Sequence, residues 1–81
     1  MAKIKLTQKV EDFKKSIISR IITMESLAGM YKKEKKYSKE HFYRGKTQAF
    51  ESSLCCMFNL SFIQVWDLVI AEKQRRLREE N

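Results

Sequence analysis

Residues 62–70 read Phe62-Ile63-Gln64-Val65-Trp66-Asp67-Leu68-Val69-Ile70, with only Gln64 and Asp67 interrupting the apolar side chains. Wound into a helix at about 100° per residue, Phe62, Ile63, Val65, Trp66, Leu68, Val69 and Ile70 point in every direction. A helix that is apolar all round has to be covered all round. In a chain of 81 residues few other elements exist to cover it. A domain of that size buries only about 60% of the surface its unfolded chain exposes, so a second chain is the cheapest way to hide the remainder. The stretch therefore predicts association, and a homodimer first.

Working back from residue 62, the start of this third helix is well specified. Ser61 and Gln64 have the Ser-x-x-Gln spacing of a capping box, with Leu60 and Val65 at the staple positions beside it. Asn59 suits the left-handed conformation that ends a preceding helix. The connection is so short that the second and third helices must meet at an angled corner. The third helix is expected to run to about residue 78, where Arg75, Arg76 and Arg78 favour the negative end of its dipole. Gln74 to Asn81 reads as a frayed, solvated end.

The second helix is expected over residues 39–58. Ser38 is its N-cap, with Tyr37 and Phe42 placed as a hydrophobic staple. Its inward stripe reads Phe42, Gly45, Ala49, Phe50, Ser53, Leu54 and Met57. The first helix is expected over residues 7–34, starting at Thr7 with Glu11 and Asp12 near the positive end of the dipole. Its stripe of Val10, Phe13, Ile17, Ile21, Met24, Ala28 and Tyr31 is spaced by threes and fours, and Ile18, Ile22 and Leu27 widen it. Folding back near Tyr37 pairs Gly29 with Gly45, Met24 with Phe50, and Ile17 with Met57. Two facing glycines would let the backbones approach closely near the turn. With no proline and both glycines inside periodic stretches, the class is all-α. The expected architecture is one domain, a long antiparallel helical hairpin plus an angled C-terminal helix.

Charge is unevenly spread. The formal net charge is +7, and residues 31–46 hold seven basic against two acidic side chains, while residues 47–70 hold only Glu51 and Asp67. Lys32, Lys33, Lys35, Lys36 and Lys39 thus make a positive turn that attracts polyanions within about a Debye length or merely solvates the tip. The corner around Asn59 has helix-turn-helix spacing, and with Arg75 and Arg76 those lysines could contact phosphates. The outward residues of the would-be reading helix, however, are Ser61, Phe62, Ile63, Trp66 and Asp67. Large apolar groups and a carboxylate do not read base edges.

Reaction chemistry finds no footing. His41 lies about 20 Å along its helix from Cys55 and Cys56, so no thiol and imidazole pair within one chain, and the spacing of a zinc site is missing. The adjacent cysteines point about 100° apart on a helix and cannot bridge one another. No glycine-rich phosphate loop occurs. The chain is therefore expected to be non-enzymatic, without catalytic residues, cofactor or metal. Met1 to Leu6 lacks the apolar core of a secretory signal, and no apolar run approaches the roughly 20 residues of a membrane span. A reduced, cytoplasmic protein is the expectation.

Asp67, set on the crowded helix, is expected either to pair with Arg20 or a lysine of another chain, or to face solvent. Trp66 is expected either to anchor a partner or to close the open end of the hairpin. Twelve lysines and seven isoleucines suit an AT-rich genome. In size and composition the chain resembles accessory proteins of bacteriophages and mobile elements in low-GC bacteria, which implies docking on a host or viral protein. The leading reading is a self-associating protein-interaction module using Phe62, Ile63, Trp66, Val69, Ile70, Ile18 and Ile22. The alternative is a dimeric nucleic-acid-binding protein using the seven basic residues named above.

Overall fold

A computed structural model describes the backbone of residues 2–80 and the side chains of residues 8–80. Three helices follow one another: α1 (Ala2–Lys33), α2 (Tyr37–Phe58) and α3 (Phe62–Glu80). Among the described residues there is no strand. The all-α class holds, with differences at the helix ends that have local causes.

α1 begins at Ala2 rather than at Thr7, so Thr7 is interior to the helix and its side chain lies outside the described residues. At its other end, Lys35 adopts φ 61°. The Lys35 N–H donates to the Lys32 carbonyl at 3.1 Å and the Lys36 N–H to the Tyr31 carbonyl at 2.9 Å. This is the paired closure of a Schellman motif, with lysine where glycine is usual. The Lys36 carbonyl then accepts the Glu40 N–H at 3.1 Å and opens α2 at once. Ser38 is consequently inside the first turn, and Lys36 takes the cap position without a side-chain cap bond.

The second corner matches the expected chemistry. Asn59 is left-handed at φ 54°, ψ 48°, and the Leu60 N–H donates to the Cys55 carbonyl at 3.1 Å. The Ser61 N–H donates to Gln64 Oε1 at 2.8 Å while the Gln64 N–H donates to Ser61 Oγ at 3.2 Å, both halves of the capping box. The chain bends by 112° between α2 and α3. α3 does not fray at Gln74; Arg75 bridges Glu72 and Glu79 through the last turns.

The core sits at this corner. Ile17, Ile18, Ile21 and Ile22 of α1 close over Leu54 of α2 and Val65 and Val69 of α3, flanked by Phe50, Cys55, Phe58, Leu60 and Leu68. α1 and α2 meet along their length, from Tyr31 stacked on Tyr43 at 5.5 Å between centroids to Lys14 Nζ lying 5.5 Å over the Phe58 ring. The glycines do not bring the backbones together as expected, since a Cβ on Gly29 or Gly45 would meet nothing within 4 Å. The aromatic stack takes up the space near the turn instead.

Candidate interaction surfaces

α3 has two unlike faces. Val65 and Val69 are fully buried, and two polar ties hold the same side of the helix to α1: Lys73 Nζ to Glu25 Oε1 at 2.8 Å and Arg76 to Ser19 Oγ at 2.8 Å. The adjoining flank leaves Phe62, Ile63, Trp66, Ile70 and Leu77 exposed, with Ile63 at 75% and Leu77 at 60% of full exposure. Ile63, Trp66, Ile70 and Leu77 follow one another along this flank at spacings of three, four and seven.

Three of the expected contact residues are elsewhere. Val69 is fully buried, and Ile18 and Ile22 are nearly so; all three belong to the core cluster. The physical reason is the 112° bend, which turns α3 back over α1 and makes the wide isoleucine stripe the seat of α3. The flank of α1 is thereby covered within the chain. Phe62, Ile63, Trp66 and Ile70 remain at the surface, joined by Leu77 from the segment expected to fray. Asp67 faces solvent, the simpler of its two expected settings.

α2 departs furthest from expectation. Of the inward stripe Phe42, Gly45, Ala49, Phe50, Ser53, Leu54 and Met57, Leu54 is fully buried and Phe50 half-buried, while the others are exposed. The face turned inward instead carries Glu40, Thr47 and Glu51 with Leu54. These positions share one side of a 3.6-residue helix. Glu40 is satisfied by the Arg44 Nε at 2.7 Å, and the Thr47 hydroxyl donates to the Tyr43 carbonyl at 3.0 Å. Among the described residues no hydrogen bond or ion pair reaches Glu51. Burial, and then the charge of Glu25, hold its carboxyl above the usual carboxylate range.

Glu51 opens on a cavity of about 240 Å³ between the three helices, lined by Glu25, Ala28, Arg44, Thr47, Gln48, Glu51 and Trp66. Glu25 Oε2 is buried without a hydrogen-bond partner. The spacing of Glu40, Thr47 and Glu51 with Leu54 was the signal for this face, but it is masked by Phe42, Phe50 and Met57 on the other side.

The basic candidates divide by their partners. Arg75 and Arg76 both bind the Glu72 carboxylate, at 2.6 Å and 3.1 Å. The Arg75 hydrogen bond, with Arg76 beside it, holds the Glu72 carboxyl at about 2. Arg75 is thus committed to its own helix, and Arg76 to its own helix and to Ser19 of α1. At the other end Lys36 reaches Glu34 at 3.5 Å, Lys39 lies 5.2 Å over the Tyr31 ring and Lys46 lies 4.6 Å over Phe42. Lys32, Lys33 and Lys35 are exposed, and among the described residues no carboxylate pairs with them. Tyr37 and Phe42 stand exposed among these cations.

His41 and Cys56 are exposed and Cys55 half-buried, with both thiols free. Among the described residues no group of three or more His, Cys, Asp or Glu side chains could hold a metal ion. Among the described residues no single helix is long and apolar enough to cross a membrane; α2 and α3 reach that apolarity only jointly, across their bend. No protein-family model matches the chain, and no curated protein or solved structure shows significant similarity to it.

Proposed function

We propose that this chain is a non-enzymatic protein-interaction module that dimerises through the outer face of α3 and docks on a protein partner. The observation that carries the reading is the row of Ile63, Trp66, Ile70 and Leu77, all exposed at helix-pairing spacing. Scattered apolar side chains on a surface are ordinary, but a continuous row along one helix is a docking face. Trp66 and Phe62 are the large rigid side chains that dominate such interfaces. In this reading α1 and α2 form an antiparallel hairpin, supported by the Tyr31–Tyr43 and Lys14–Phe58 contacts, and α3 lies across it with its outer row facing a second copy. The lysine-rich turn stays outside this interface. The size and composition fit an accessory protein of a phage or mobile element acting on a host protein in the cytoplasm.

A second reading has its own observation. Lys32, Lys33 and Lys35 are exposed at the turn that leads to the exposed Tyr37, and Lys46 lies 4.6 Å over the exposed Phe42 ring; cations interleaved with aromatic faces suit single-stranded nucleic acid. Salt separates the two. Association through α3 is apolar and should persist at 1 M salt, where the Debye length is about 3 Å. Binding of an oligonucleotide through the turn should fall steeply over the same range. An oligomer that dissolves in high salt would remove the leading reading.

A further inference from the structure

The cavity between the three helices holds more carboxylate than its own cations pair. Two carboxylates, Glu25 and Glu51, and one cation, Arg44, line it; Lys73 is bound to Glu25 Oε1, and Arg44 is itself bound to Glu40 Oε2 behind it. Three negative charges against two positive ones leave one uncompensated, inside a chain whose net charge is +7. Two oxygen sets mark where the deficit lies. Glu25 Oε2 is buried without a partner. Glu51 is only 6% exposed, lines the cavity and has no hydrogen-bond partner among the described residues. A water-excluded carboxylate oxygen without a donor, as Glu25 Oε2 is, is costly unless something supplies it.

The remaining lining narrows the chemistry. Trp66 offers an indole face, the best aromatic partner for a cation, and Gln48 and Thr47 add polar atoms at the wall. A planar guanidinium presents several donors in a fixed fork, matches carboxylates at more than one point and stacks on aromatic rings. At about 240 Å³ the cavity has room for such a group on an alkyl stem. We propose that this cavity is a binding site for an alkyl-guanidinium group, the end of an arginine side chain or a free small molecule of the same kind. Glu51 and Glu25 accept its hydrogen bonds and Trp66 covers its face. The site shares Trp66 with the α3 row proposed above to pair, but its carboxylates lie within one chain, so it can be filled whether or not that pairing forms.

Trp66 is the chain's single tryptophan, so its fluorescence reports the cavity directly. Titration of the protein with n-butylguanidinium at constant ionic strength should give a saturable change in emission. The neutral isostere n-butylurea should give none. Glu51→Gln removes a charge without changing shape, and because no partner is lost the fold should persist, which circular dichroism checks. In that variant, and separately in Glu25→Gln, the affinity for n-butylguanidinium should drop by about tenfold or more, the worth of one charged hydrogen bond. Sedimentation at saturation separates the sources. Release of a dimer would identify an arginine of the second copy as the natural occupant, and an unchanged mass would assign the site to a foreign side chain or small molecule. No saturable response, equal binding of the urea, or undiminished binding by a folded Glu51→Gln variant would each overturn the proposal.

Discussion

Helices α2 and α3 reverse the usual sorting of side chains in opposite ways. α3 buries Val65 and Val69 and leaves Phe62, Ile63, Trp66, Ile70 and Leu77 in water. α2 buries Glu40, Thr47 and Glu51 while Phe42 and Met57 stand outside. The difference teaches where each helix is incomplete. α3 has a sound inner face and a flank of exposed apolar side chains, which the proposed pairing would cover. α2 has an inner face with a carboxylate that nothing supplies, so what it lacks is a counter-charge.

The largest effect should come from breaking the α3 row. Exposed Ile63 and Ile70 replaced together by glutamate should leave helix content unchanged and weaken dimerisation by about 3–6 kcal/mol per protomer, taking about 1.5–3 kcal/mol for each side chain buried at the interface. Sedimentation equilibrium of the double variant measures this. Next in size is the core both helices share. Leu54→Ala removes a fully buried side chain and should cost about 2–5 kcal/mol in urea unfolding, and a smaller loss would mean that the corner packs more loosely than its geometry shows.

A pH experiment then tests α2. The folded Glu51 carboxyl holds its proton more tightly than the ordinary 4.5 of a glutamate, because of burial and then of Glu25. The stability this group contributes is therefore fully present below that value and lost as pH rises through the raised one. Glu51→Gln should accordingly raise the thermal midpoint at pH 7, with the gain vanishing below about pH 4. Glu72 works in the other direction. Its carboxyl, held at about 2 by Arg75 and Arg76, adds stability above the unfolded value that is lost as pH falls toward 2. A Glu51→Gln gain that did not depend on pH would point to packing rather than charge. The smallest effect belongs to Gly45→Ala. The site is exposed and open and Gly45 has no positive φ, so the alanine should add about 0.5–1 kcal/mol.

Much of this architecture is legible in the residues. The Asn59 stop and the Ser61–Gln64 box are local chemistry, and local chemistry reads directly. The excess on α3 is likewise visible because an all-round apolar stretch leaves no choice of face. The rotation of α2 is not visible, because Phe42, Phe50, Leu54, Met57 and Phe58 are scattered round the helix and any of several faces could be apolar. Which face wins is set by the bend at Asn59, which fixes Leu54 against Val65 and Val69 and carries Glu51 and Thr47 inward with it. The turn at Lys35 was equally hidden, since a left-handed lysine carries no sign that a glycine would have given. The same bend explains why Ile18 and Ile22, expected to face a partner, are covered within the chain.

The most direct test is the mass of the purified chain in solution. Sedimentation velocity at neutral pH over a range of concentrations should show a reversible dimer of about twice 9.7 kDa, retained at high salt. A single 9.7 kDa species at every concentration, with Ile63, Trp66 and Ile70 still open to solvent, would contradict the account.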